Sequence, residues 1–132
     1  MARLQTKTKA TILIVDDDKS MLQLLKMHLS NAGYKVLTAE DGVVAGRHVL
    51  KTQPDLIIAD VSMPYMDGYQ LVAALKADSA TRDIPVVFLT SREDVADYAK
   101  QLGAVAYLHK PVLADRLLEI VALFVKIGRA HV

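Results

Sequence analysis

Residues 54–68 read Pro54-Asp55-Leu56-Ile57-Ile58-Ala59-Asp60-Val61-Ser62-Met63-Pro64-Tyr65-Met66-Asp67-Gly68, and their reading decides the fold. The apolar run from Leu56 to Ala59 is too short for a helix and has no polar face. A run of that kind is a strand buried on both sides, as the strands of parallel sheets are. It stops in a carboxylate, Asp60, and enters a loop carrying Pro64 and Gly68. Open parallel sheets bind ligands at the carboxyl ends of their strands, so an acid placed there is a candidate for chemistry.

Working outward, the same grammar recurs. Residues 11–15 form a second apolar run, ending in Asp16-Asp17-Asp18. Residues 86–89 form a third, ending in Thr90-Ser91, and residues 104–108 a fourth, ending in His109-Lys110-Pro111. Residues 34–39 have a mixed face that suits an edge strand. Between the strands lie helical patterns. Residues 19–32 carry Met21, Leu22, Leu25 and Leu29 on one stripe, with Asp18 as N-cap and Gly33 as the stop. The pattern opened by Asp41 runs to about residue 52, with Val44, Val49 and Leu50 expected inward and Gly46 a weak point. Residues 69–77 place Leu71, Val72 and Leu75 inward. Residues 93–102 have acids in their first turn and Gly103 beyond their end, and residues 113–126 align Leu113, Leu117, Val121 and Phe124. Five strands alternating with five helices specify a parallel sheet covered on both faces, an α/β fold.

A chain of 132 residues is long enough for one domain with a proper core. Its apolar share of 52% and charged share of 23% fit a globular protein. The net charge of +1 makes no electrostatic case for nucleic acid or for a membrane surface. Arg3, Lys7 and Lys9 sit in a patternless lead-in, residues 1–10, which is expected to be disordered. Setting these three and Arg129 aside leaves twelve basic against fifteen acidic side chains, a net of −3 on the folded part. Cysteine is absent, which excludes disulfides. No apolar run approaches the roughly 20 residues of a membrane span, and the basic lead-in lacks the apolar segment of a secretory signal, so the cytoplasm is the expected compartment. Residues 127–132, Ile-Gly-Arg-Ala-His-Val, do not continue the last helical pattern. The same six residues result from translating through a common sequencing adaptor, so this tail is expected to be non-native and the folded unit is drawn over residues 11–126.

In a parallel sheet every strand's carboxyl end lies on one rim. Asp16, Asp17, Asp60, Thr90 and Lys110 are therefore expected to converge. Carboxylates about 4 Å apart repel by about 4 kcal/mol per pair at an effective dielectric near 20, so the cluster calls for a shared cation or a bound proton. Oxygen ligands without His or Cys favour a hard ion, Mg²⁺ or Mn²⁺. Lys110 is a point charge suited to a phosphoryl oxygen, and Thr90 supplies a hydroxyl. A metal, a carboxylate nucleophile, a lysine and a hydroxyl together make a phosphoryl-transfer site.

On these residues the chain resembles the receiver domain of two-component response regulators over residues 11–125. The matching pieces are Ile14-Val15-Asp16-Asp17, Asp60 with Met63-Pro64-x-Met66-Asp67-Gly68, Thr90, and Tyr107-x-His109-Lys110-Pro111. Their joint order and spacing are specific where any one alone is weak. The resemblance implies a flavodoxin-like sheet of strand order 2-1-3-4-5. It implies a phosphoacceptor switch rather than an enzyme, in which Asp60 takes a phosphoryl group from the phosphohistidine of a sensor histidine kinase or phosphotransfer protein. It further implies that Asp17, Asp60 and the Ser62 carbonyl bind Mg²⁺, with Asp16 acting through water. Lys110 would hold the phosphate, with a cis bond to Pro111. Thr90 would swing to the phosphate and Tyr107 turn inward behind it. That would rearrange the surface formed by the fourth predicted helix, the fifth strand and the last helix, where an output domain, a target protein or a second copy could dock. Two departures matter. Val112 stands where the family often has Phe, and Ser62 and Arg92 occupy positions that, in the family, flank the path of the hydrolytic water.

Blander readings compete at each position. Asp16 and Asp17 could merely cap the first helix, but Asp18 already fills that place. Thr90 could cap the fourth predicted helix, Lys110 could be a solvated lysine, and Tyr107 could be plain core. His109, His28 and His48 are read as surface or structural residues, and Met63 and Met66 as loop packing. Other functions fit less well. A haloacid-dehalogenase-type phosphatase needs Asp-x-Asp-x-Thr after the first strand, where this chain has Asp-Asp-Asp-Lys-Ser. A flavodoxin needs a hydroxyl- and Gly-rich phosphate loop there, and acids would repel the phosphate. A pseudo-receiver scaffold has no need of the complete acid, Thr and Lys set.

Overall fold

The computed structural model describes residues 10–61, 68–91 and 103–130. Its strands are β1 (Thr11–Val15), β2 (Lys35–Ala39), β3 (Leu56–Asp60), β4 (Val86–Thr90) and β5 (Ala106–His109). Its described helices are α1 (Lys19–Asn31), α2 (Gly42–Thr52), α3 (Gly68–Ala77) and α4 (Ala114–Ala130). The helix expected over residues 93–102 lies outside the described residues. All neighbouring strands are parallel, in the order β2-β1-β3-β4-β5. This is the parallel α/β sheet expected from the apolar runs, in the flavodoxin-like strand order that the resemblance implied.

The sheet separates two layers of core. Leu13, Val15, Ile57, Ala59, Val86 and Phe88 face a cluster with Val49 of α2 and Leu71, Val72 and Leu75 of α3. The alternate residues Ile12, Ile14, Ile58, Val87 and Leu89 face Leu22, Leu25 and Leu29 of α1 and Leu117 and Val121 of α4. Strands β3 and β4 are buried along their whole length, which is why their sequences lack a polar face. Val112 is partly buried against the second layer, in the position where a Phe was the expected family choice.

The helix ends follow local chemistry. The Asp18 carboxylate accepts from the Ser20 backbone N–H at 2.9 Å and from that of Met21 at 3.4 Å, capping α1. Gly33 follows α1 at φ 97°, a conformation that glycine takes without a Cβ clash. Asp41 caps α2 through the Val44 N–H at 2.9 Å.

Four details differ from the sequence reading. Leu50, expected inward, is 73% exposed, because α2 turns Ala45 and Val49 to the sheet and leaves Leu50 on the outer face. Leu113, also expected inward, is 70% exposed, because it precedes the first residue of α4. The backbone of α4 runs on to Ala130, past the expected end at residue 126. Ala10, placed in the lead-in, belongs to the fold: it is buried, and its carbonyl accepts from the Lys35 N–H at 2.9 Å. Among the described residues no helix is long and apolar enough to cross a membrane.

Candidate functional site

Strand geometry delivers the site. β1 ends at Val15, and the next residue, Asp16, is tied to the neighbouring strand by its N–H, which donates to the Ala39 carbonyl at 3.1 Å. β3 ends in Asp60 itself, and Val61 N–H donates to the Leu89 carbonyl at 3.1 Å. β4 ends in Thr90, whose carbonyl accepts from the Lys110 N–H at 2.7 Å. Backbone ladders thus carry Asp16, Asp60, Thr90 and Lys110 to one rim of the sheet. The Lys110–Pro111 peptide is cis.

Asp16, Asp17 and Asp60 each offer a carboxylate oxygen, and these oxygens lie within 4.8 Å of one another. Asp16 and Asp60 are buried, whereas Asp17 is exposed. The Lys110 ammonium reaches both buried acids, with Nζ 3.1 Å from Asp16 Oδ2 and 3.3 Å from Asp60 Oδ2. Only the contact to Asp60 has hydrogen-bond geometry. Asp16 Oδ1 accepts from the Asp18 backbone N–H at 2.9 Å, so one residue caps α1 with its side chain and fixes Asp16 with its backbone. Among the described residues, buried Asp16 Oδ2 has no hydrogen-bond partner, only the Lys110 ammonium 3.1 Å away outside hydrogen-bond geometry. By contrast the buried Thr81 hydroxyl donates to the Leu75 carbonyl at 2.7 Å, as buried polar groups ordinarily do.

The electrostatics follow from this packing. Burial pushes the Asp16 carboxyl above the ordinary carboxylate range, with the Asp60 charge adding to it; the Asp18 N–H and Lys110 oppose the rise without cancelling it. Burial alone would lower the Lys110 ammonium, but Asp16 and Asp60 more than offset that, and its pKa is raised. Among the described residues, three carboxylates with one lysine leave surplus negative charge, and one buried oxygen has no partner in hydrogen-bond geometry. Both features suit a hard divalent cation bound through oxygen, so the residues present fit Mg²⁺.

Other expected residues have distinct places. Thr90 is buried at the end of β4. Tyr107 on β5 is half-buried and packs against the core layer under α2 and α3. Ser62 and Arg92, and with them the expected carbonyl ligand, lie outside the described residues. His109, expected at the surface, is exposed, and its ring stands edge-on to Tyr107, with centroids 5.2 Å apart and planes at 90°. The signal was present in the i, i+2 spacing, which places two strand residues on one face.

Comparison with known proteins agrees with this architecture. A family model described as the response regulator receiver domain matches residues 12–122. The transcriptional regulatory protein PrrA of Mycobacterium leprae is 41% identical over 120 residues, covering 89% of this chain and 51% of that protein. Protein PilG of Pseudomonas aeruginosa is 36% identical over 109 residues, covering 81% of each. The chain spans about half the length of PrrA and of the other transcriptional regulators it matches. The solved chemotaxis response regulator CheY4 of Vibrio cholerae superposes with a TM-score of 0.83 at 35% identity, covering 89% of this chain and 99% of that one. With the family match running from β1 into the last helix, this chain belongs to the response regulator receiver domain family.

Proposed function

We propose that this receiver domain is a phosphorylatable switch whose acceptor is Asp60. The observation that carries the reading is the convergence of Asp16, Asp17 and Asp60 within 4.8 Å, with Lys110 bridging the two buried acids. An Asp60 carboxylate oxygen attacks the phosphorus of a phosphohistidine on a sensor histidine kinase or phosphotransfer protein. A P–O bond forms, the P–N bond breaks, and the imidazole nitrogen retains the electron pair. Asp17, Asp60 and the Ser62 carbonyl would hold Mg²⁺ or Mn²⁺, with Asp16 reaching it through water. The ion supplies charge neutralisation for the phosphoryl oxygens. Lys110, already beside Asp60, is placed to hold a phosphoryl oxygen as that group arrives.

The output follows from Thr90 and Tyr107, which lie on adjacent strands. Thr90 turns to the phosphoryl group, and Tyr107 turns inward behind it. A groove of about 430 Å³ runs along β5, lined in part by Tyr107, His109, Val112 and Leu113, so a Tyr107 movement changes its wall. That face, with the helix expected over residues 93–102 and α4, is the reading's partner surface, for an output domain, a target or a second copy. In this reading residues 10–126 are the working domain in the cytoplasm, Ala10 being part of the fold, and residues 127–132 a non-native tail. The domain itself contacts neither nucleic acid nor membrane. The test is intact-mass analysis after incubation with acetyl phosphate. The protein should gain one phosphoryl group with Mg²⁺ and none when Mg²⁺ is chelated, and Asp60→Asn should gain none. Equal gain in wild type and Asp60→Asn would overturn the reading.

A further inference from the structure

On β5 the side chains of Tyr107 and His109 share one face, and that of Leu108 between them takes the other. Leu108 is buried in the layer under α1 and α4, whereas Tyr107 packs on the opposite layer. Across the sheet, Phe88 is in register with Tyr107 and Thr90 with His109. Registered residues of a parallel pair lie on the same face, so Thr90, Tyr107 and His109 border one patch at the carboxyl rim. The His109 ring meets the Tyr107 ring edge-on, with centroids 5.2 Å apart and planes at 90°. Aromatic quadrupoles favour that geometry over a face-to-face sandwich.

We propose that His109 is a positioning residue for Tyr107: its ring braces the phenol where it now stands, and the contact must be released before the phenol turns toward Thr90. The proposal rests on the switch reading above and adds a residue to it. His109 thereby sets how often the resting protein samples the turned-in tyrosine, and so how strongly the output responds to phosphorylation. An exposed edge contact is enough for this, because it acts on a rotamer equilibrium and not on global stability.

The experiment measures the Tyr107 χ1 populations by NMR in isotope-labelled, unphosphorylated full-length chain, comparing wild type, His109→Ala and His109→Phe. Losing the ring should raise the minor Tyr107 rotamer by roughly two- to tenfold, as one aromatic pair allows. His109→Phe, which keeps a ring in place, should return the populations to those of wild type. Unchanged populations in His109→Ala would overturn the proposal, and so would His109→Phe behaving like His109→Ala. Phosphoryl gain from acetyl phosphate is measured on the same three proteins. Failure of all three to load Asp60 would strike the phosphoacceptor reading alone, while the resting populations would still decide the role of His109.

Discussion

Replacing Asp16 by Asn should make the metal-free protein more stable, against the usual result of changing a buried residue. Asp16 lies within 4.8 Å of both Asp17 and Asp60 by its nearest oxygens. At an effective dielectric near 20, each of those repulsions is worth about 3 kcal/mol, and the one to exposed Asp17 is further reduced by solvent. The Lys110 ammonium at 3.1 Å returns about 5 kcal/mol on the same scale. These terms roughly cancel, which leaves the cost of burying an ionised carboxylate whose Oδ2 has, among the described residues, no partner in hydrogen-bond geometry. Asn is nearly isosteric, its carbonyl can keep the Asp18 N–H bond, and Lys110 retains Asp60. The expected gain is about 1–2 kcal/mol at neutral pH, or roughly 4–8 °C in Tm. Mg²⁺ should reverse the order. At a hundred times its Kd, an ion stabilises the form that binds it by about 2.7 kcal/mol, and Asp16→Asn should lose most of that. Thermal unfolding of both proteins, with chelator and with saturating Mg²⁺, reads the four values. A less stable Asp16→Asn without metal, or an equal Mg²⁺ gain in both proteins, would refute the reasoning.

Three further predictions follow from the same site. Lys110→Met removes the cation shared by two buried acids and should destabilise the metal-free fold by about 3 kcal/mol, measured by urea unfolding. It should also slow acetyl-phosphate loading by about a hundredfold, followed as a mass time course. Asp16 has a raised pKa, so the folded state keeps this proton over a pH window in which the unfolded chain has released it. The stability difference between wild type and Asp16→Asn should therefore grow in favour of Asn as pH rises from the ordinary carboxylate range through the raised value, and then level off; a difference independent of pH would contradict the shift. Ser62→Asn and Arg92→Glu should each change the rate of dephosphorylation at least severalfold, and identical decay in the three proteins would dispose of that expectation.

The sheet was legible because parallel strands buried on two faces have little choice of residue: Ile12 to Val15, Leu56 to Ala59 and Val86 to Leu89 are wholly buried. Helix termini were legible at Asp18, Gly33 and Asp41, where one side chain or one φ decides the cap. Helix phase was less so. Leu50 fits an apolar stripe as well as Val49 does, and only packing selects between them. For the site, residue types and strand ends foretold the convergence of Asp16, Asp17, Asp60 and Lys110. They could not foretell that Asp16 would be buried with an unsatisfied oxygen, because that depends on how closely Lys110 approaches two acids on other strands. The Tyr107–His109 contact was hidden for a similar reason: a strand's period gives a shared face, but only side-chain rotamers bring two rings edge to face.

The most direct test of the central claim is to locate the phosphoryl group. Wild-type protein loaded from acetyl phosphate is reduced with borohydride, which converts an aspartyl phosphate to homoserine, and its peptides are mapped by mass. The account predicts homoserine at position 60 alone, formed with Mg²⁺ and absent when the ion is chelated. Homoserine at position 16 or 17, or conversion at position 60 that ignores Mg²⁺, would contradict it.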